Sequence, residues 1–146
     1  MRIAFLGLGQ MGAPMAERLV EAGHALVVAD PSDAATAPFR RRGVPVEASP
    51  AAAVAGAEIA FACLPSPDVS RAVAFGPDGV LAAGTPPLRY VEMSTIGSEA
   101  VVEIAHALAG HGIGMLDAPV SGGPRGARAG TLTTMVAGDD AAFAAC

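Results

Sequence analysis

Residues 7–12 read Gly7-Leu8-Gly9-Gln10-Met11-Gly12 and lie between a short apolar run, Arg2–Leu6, and a stretch, Met11–Ala22, in which Met11, Met15, Leu19 and Ala22 recur at helical spacing before Gly23. Strand, glycine turn and helix in that order leave few folds open. Each glycine has its own physical use: Gly7 permits a tight turn, Gly9 lets the backbone come close to a pyrophosphate, and Gly12 lets the helix pack closely on the strand. The helix N-terminus adds free N–H groups and the positive end of its dipole, both suited to phosphates. The alternative is a glycine turn without a ligand. Against it stands Asp30, 18 positions after Gly12 and closing the apolar run Ala25–Ala29. Its carboxylate can accept hydrogen bonds from adenosine ribose hydroxyls, and its charge opposes a 2′-phosphate, which favours NAD over NADP. A turn-capping role ahead of Pro31-Ser32 is the other reading of Asp30.

The alternation continues along the chain. A proline-interrupted helix follows Pro31-Ser32-Asp33 and stops near Gly43; Val44–Val46 reads as a short strand, Pro50–Ala55 as a short helix, Glu58–Leu64 as a strand, and Asp68–Phe75 as a helix opened by Pro65-Ser66-Pro67. After turns at Gly76–Pro87 come a strand at Arg89–Met93, a helix at Ser98–Ala109 with Ser98 as N-cap, and a short strand near Met115–Leu116. A glycine-rich loop at Ser121–Gly130 and a strand at Thr131–Ala137 follow. The pattern predicts an α/β fold of Rossmann type: a doubly wound, mostly parallel sheet with helices on both faces, binding ligands at the C-terminal strand ends. The last helix, begun at Asp139, stops after about two turns, so residues 1–146 read as one dinucleotide-binding domain cut short at its C-terminal edge.

Composition narrows the function classes. Hydrophobic residues at 52% and charged residues at 16% suit a packed core and exclude disorder. Gly, Pro or a charge breaks every apolar stretch well before the roughly 20 residues of a membrane helix. Met1–Gly7 lacks the length and cleavage pattern of a signal peptide, so a cytoplasmic protein is expected. Fourteen acids against nine bases give a net charge of −5, and every base is arginine; this balance argues against a nucleic-acid partner. Arg40-Arg41-Arg42, before Gly43, suits a solvated helix end. Cys63 and Cys146 are too few for a disulfide framework or a zinc site, and His24, His106 and His111 are not at metal-ligand spacing, so no metal is expected.

The stretch from Phe5 to Leu19, Phe5-Leu6-Gly7-Leu8-Gly9-Gln10-Met11-Gly12-Ala13-Pro14-Met15-Ala16-Glu17-Arg18-Leu19, resembles the opening signature of the β-hydroxyacid dehydrogenases, which include 3-hydroxyisobutyrate dehydrogenase and tartronate semialdehyde reductase. Cys63-Leu64-Pro65-Ser66, Ser94-Thr95-Ile96, and Asp117-Ala118-Pro119-Val120-Ser121-Gly122-Gly123 leading to Gly126-Ala127 and Gly130-Thr131-Leu132-Thr133 resemble later motifs of that family, so the likeness spans nearly the whole chain. Arg18 departs from it, standing where the signature usually has asparagine, and bears on helix packing more than on the cofactor.

The resemblance implies NAD-dependent oxidation of a 3-hydroxy acid to its semialdehyde. It puts the cofactor against Gly7–Gly12, Asp30, Leu64, Pro65 and Thr95, and the substrate carboxylate against Ser121, Gly122 and Gly123. Arg125 and Arg128 either lend charge to that pocket or turn to solvent. The family's proton-transferring lysine comes from a helical domain following the cofactor domain. This chain has no lysine, so that residue and domain are expected beyond Cys146, as is the surface that makes the full-length protein a homo-oligomer. Two alternatives stay open: a semialdehyde or glyoxylate reductase of the same family, and a non-catalytic nucleotide-sensing module.

Overall fold

Ile3, Ala4, Phe5 and Leu6 are all at most 2% exposed, so the first strand, β1 (Arg2–Leu6), is covered on both faces and shows no polar alternation. The structure is a computed structural model describing residues 1–146. After β1 come α1 (Gly12–Glu21), β2 (Ala25–Ala29), α2 (Asp33–Arg41), β3 (Val46–Glu47), α3 (Pro50–Val54), β4 (Ile59–Ala62) and α4 (Pro67–Phe75). A 3₁₀ turn at Val80–Ala82 leads to β5 (Arg89–Glu92), α5 (Ser98–Ala109), β6 (Gly114–Asp117), β7 (Val120–Ser121), α6 (Gly123–Ala129), β8 (Thr133–Thr134), β9 (Ala137–Gly138) and α7 (Asp140–Ala145).

Seven strands form one sheet in the order β3-β2-β1-β4-β5-β6-β9, all parallel except β9, which runs antiparallel to β6. Strand order reverses between β1 and β4, the place where doubly wound sheets open a crevice at their C-terminal edge. Alternate strand residues feed two faces. Ala4, Leu6, Val27, Ala60 and Tyr90 pack beneath α3, α4 and α5, whereas Ile3, Phe5, Leu26 and Val28 pack beneath α1 and α2. Ile59, Val91 and Leu116 meet Ala142 of α7.

Several elements differ from their sequence expectation for identifiable reasons. β3 lies at Val46–Glu47 rather than Val44–Val46 because Pro45 has no N–H; it only accepts, from Val28 N at 3.0 Å. α2 runs through Pro38 unbroken, since the Ser32 hydroxyl caps its start by accepting from Ala35 N at 3.3 Å and Phe39 anchors it in the core. β4 stops at Ala62: Cys63 N makes a last bond to Leu6 O of β1, and Leu64 N turns to the Ser94 hydroxyl. α5 begins at Ser98 as expected, but Gly97, at φ +80°, is the N-cap, and Ser98 is already helical. Ser121–Gly130, expected as a loop, holds the helix α6, opened by Pro124 near its N-terminus and closed by Gly130 at φ +68°. The expected strand at Thr131–Ala137 is two pieces, β8 pairing with β7 and β9 joining the main sheet.

Arg18 is accommodated on the surface of α1. It pairs with Glu21 at 3.1 Å, and its guanidinium lies against Gly130, where an added Cβ would come within 3.0 Å of Nη2.

Candidate functional site

The glycine turn is built as its residue types require. Gly7 has φ +93° and donates its N–H to Ala29 O at 3.0 Å, tying the end of β1 to the end of β2. A Cβ on Gly7 would strike the Cys63 carbonyl oxygen and come within 2.9 Å of Leu64 Cδ2, while one on Gly12 would strike the Gly7 carbonyl oxygen. Gly9 is different: nothing lies within 4 Å of where its Cβ would be, so its backbone faces open space. No side chain caps α1; Ala13 N is bonded to Gly9 O at 3.0 Å and Pro14 has no N–H, so the amides at this helix start without a backbone partner are those of Gln10, Met11 and Gly12.

That open space is a cavity of about 650 Å³ lined by Gly7, Gly9, Gln10, Met11, Gly12 and Asp30, and on its far side by Leu64 and Pro65. The volume falls in the range of small-molecule and cofactor sites. The Asp30 carboxylate accepts the Leu8 N–H at 2.6 Å through Oδ2 and the Ser32 N–H at 2.8 Å through Oδ1. Both readings of Asp30 therefore hold geometrically: it caps the turn at Pro31-Ser32 and borders the cavity, and each oxygen keeps a second lone pair for a ribose hydroxyl. Leu8 does not line the cavity; its side chain is buried beneath α1, and only its N–H takes part.

On the other side of β1, the ends of β4 and β5 are stitched together. Cys63 N donates to Leu6 O at 2.9 Å, Met93 N to Ala62 O at 2.8 Å, and Leu64 N to the Ser94 hydroxyl at 2.6 Å. Ser66 caps α4 by accepting from Val69 N at 3.3 Å, and Pro67 occupies the first turn, so Leu64-Pro65 is held between strand and helix. Thr95 is exposed and is not among the residues lining the cavity.

Ser121, Gly122 and Gly123 are exposed and form the junction of β7 and α6, with Gly122 at φ +131° and Gly123 at φ +62°. They too lie outside the cavity. Arg125 and Arg128 are exposed on α6.

Sequence reasoning missed Glu92. This carboxyl, 0% exposed at the end of β5, accepts the Ser94 N–H at 3.0 Å and the Tyr90 hydroxyl at 3.3 Å. Burial pushes its pKa up, against the lowering effect of its hydrogen bonds. Burial, with the nearby Glu92, also pushes the Cys63 thiol up to about 11. The available signal was a glutamate ending the strand Arg89-Tyr90-Val91-Glu92, with a tyrosine two positions earlier on the same face.

A doubly wound sheet with a glycine turn at the switch point and an acidic residue ending the second strand defines a dinucleotide-binding domain. The chain belongs to the family of the NAD-binding domain of 6-phosphogluconate dehydrogenase, which matches residues 2–146. It is 43% identical over 144 residues to the 3-hydroxyisobutyrate dehydrogenase of Pseudomonas aeruginosa, covering 97% of this chain and 48% of that one. To the NAD-dependent L-serine dehydrogenase of the same organism it is 43% identical over 138 residues, covering 94% and 46%. The cytokine-like nuclear factor N-PAC of Pongo abelii is 34% identical over 145 residues, covering 99% and 26%. Among solved structures, 3-hydroxyisobutyrate dehydrogenase of Mycobacterium tuberculosis with L-serine superposes with a TM-score of 0.91 at 41% identity, covering 99% of this chain and 48% of that one. The chain thus spans about half the length of the dehydrogenases it matches. The Rossmann-type fold and the kinship with 3-hydroxyisobutyrate dehydrogenases agree with the sequence reading. No helix is long and apolar enough to cross a membrane.

Proposed function

We propose that residues 1–146 are the cofactor-binding domain of an NAD-dependent oxidoreductase that converts a 3-hydroxy carboxylic acid, of the 3-hydroxyisobutyrate type, into its semialdehyde. The observation that carries the reading is the Asp30 carboxylate, fixed at the cavity rim by the Leu8 and Ser32 N–H groups and set beside the open backbone of Gly9. In this reading Asp30 takes the adenosine ribose and repels a 2′-phosphate, while Gly9 and the start of α1, from Gln10 to Gly12, take the pyrophosphate. A dinucleotide so placed across β2 and β1 extends its second nucleoside over the ends of β4 and β5, toward Leu64, Pro65 and Thr95.

Bound NAD supplies the hydride acceptor. Ser121, Gly122 and Gly123 hold the substrate carboxylate with a hydroxyl and unhindered backbone N–H groups. The names of the relatives support a substrate class: 3-hydroxyisobutyrate and L-serine both carry a hydroxyl on the carbon next to the α-carbon of a carboxylic acid. None of these 146 residues is lysine, so the group that takes the hydroxyl proton is assigned to a residue outside them, in a helical domain that also joins subunits.

The test is NADH formation by the full-length protein with 3-hydroxyisobutyrate, L-serine and their homologues. Turnover of a 3-hydroxy acid, lost in Ser121→Ala chiefly through a raised KM, supports the reading. Turnover of 2-hydroxy acids alone overturns the substrate assignment. The likeness to a nuclear factor favours a second reading, a nucleotide-sensing module without catalysis. It predicts NAD binding with no turnover of any hydroxy acid or semialdehyde.

A further inference from the structure

The cavity side formed after β4, by Cys63, Leu64 and Pro65, carries no charged group, yet one residue behind it, through Ser94, lies the most buried carboxyl of the chain. Glu92 is 0% exposed, and a carboxyl taken out of water is costly unless its oxygens are used. They are used on the turns next to the site. One oxygen accepts the Ser94 N–H at 3.0 Å; the Ser94 hydroxyl in turn accepts the Leu64 N–H at 2.6 Å. The other accepts the Tyr90 hydroxyl at 3.3 Å. The Ser70 hydroxyl, buried on α4 near this carboxyl, is the one buried side-chain oxygen without a hydrogen-bond partner. The Leu64-Pro65-Ser66 turn is thus tied to Glu92 from the strand side, through Ser94, and runs directly into α4, whose first bonds include Ser70 N to Ser66 O at 3.0 Å.

We propose that Glu92 is a positioning residue for the nicotinamide end of the cofactor site, setting Leu64, Pro65 and the Ser94-Thr95 turn through hydrogen bonds while never touching the cofactor. This rests on the NAD-binding reading above. Burial pushes the Glu92 pKa up, its hydrogen bonds are those to Ser94 N and the Tyr90 hydroxyl, and the titratable groups facing it are Tyr90 and Cys63, with no cation among them. A glutamine keeps both contacts, its carbonyl accepting from Ser94 N and its amide donating to the Tyr90 hydroxyl oxygen with the direction of that bond reversed. Leucine keeps neither.

The experiment titrates the full chain with NADH and separately with ADP, which has the adenosine and both phosphates but no nicotinamide ribose. Glu92→Leu is expected to weaken NADH about tenfold, the equivalent of one lost buried hydrogen bond, and to leave ADP within about twofold of wild type; Glu92→Gln is expected to restore NADH. Should Glu92→Leu fail to fold, Ser94→Ala takes its place with the same expectation for NADH and ADP. Equal weakening of NADH and ADP, unchanged NADH binding, or a Glu92→Gln as weak as Glu92→Leu overturns the proposal. A wild-type chain that binds neither nucleotide overturns the cofactor reading itself, a result distinct from all three.

Discussion

Asp30 and Leu8, 22 residues apart, are joined by a 2.6 Å hydrogen bond from the Leu8 N–H to Oδ2, so a carboxylate that lines the cavity also holds the glycine turn. Asp30→Ala should therefore do two things at once. It should lower stability by about 1–2 kcal/mol, as for loss of an acceptor from a part-buried N–H, read from urea unfolding. It should also weaken NADH more than NADPH, narrowing the preference; an unchanged ratio of the two affinities would remove Asp30 as the discriminating residue.

Gly9 and Gly12 separate binding from folding. Gly9→Ala places a methyl in empty space and should leave the unfolding midpoint unchanged while weakening NADH by obstructing the pyrophosphate. Gly12→Ala drives a methyl into the Gly7 carbonyl and should cost about 1–3 kcal/mol of stability as well as binding. Equal midpoints for the two variants would contradict the packing at Gly12.

The raised pKa of Glu92 fixes the sign of a pH dependence. The unfolded chain ionises this carboxyl in the ordinary glutamate range, whereas the folded chain does so only at higher pH. Stability from keeping it neutral is complete below the ordinary range and lost as pH rises through the folded value. Urea midpoints of the wild type, measured against Glu92→Gln at each pH, should fall from about pH 4 upward. A difference that stays flat, or rises with pH, would show that Glu92 is ionised when folded.

Cys63 and Cys146 should differ in reactivity. The Cys63 thiol, half-buried and pushed up to about 11, is almost wholly protonated at pH 8, whereas Cys146 is exposed. Alkylation followed by mass spectrometry should label Cys146 well before Cys63, and NADH, covering Leu64 and Pro65, should slow Cys63 further.

Arg18 is the simplest substitution to forecast. Its partner Glu21 is half exposed and the pair spans three residues on one helix, so Arg18→Asn should change stability by less than about 0.5 kcal/mol. A larger loss would mean that its contact with Gly130, rather than the ion pair, holds α6 against α1.

The parallel strands were legible because burial on both faces leaves unbroken apolar runs: β1 and β2 have the expected bounds. The glycine turn was legible because Gly7 and Gly12 stand where a Cβ would strike backbone, and Asp30 because it closes an apolar run with a charge. α6 was not, since Gly122, Gly123, Gly126 and Gly130 read locally as a loop; the buried Ala127 that packs it among the residues beneath α1 is a tertiary fact. Gly97 displaced Ser98 as the cap through backbone conformation alone, which side-chain preference does not record. Glu92 stayed hidden because a strand-end glutamate ordinarily points to solvent, and only the pairing of β5 between β4 and β6 buries it.

The chain has no tryptophan and a single tyrosine, and that tyrosine is Tyr90, fully buried with its hydroxyl on Glu92. Its ultraviolet emission and near-ultraviolet dichroism beyond the phenylalanine bands thus originate from one phenol at the heart of the β5 network. The molecule carries its own optical label: unfolding, protonation of the neighbouring acid and arrival of a nucleotide at the adjoining strand ends can all be followed on the unmodified protein, with no dye attached and no residue replaced.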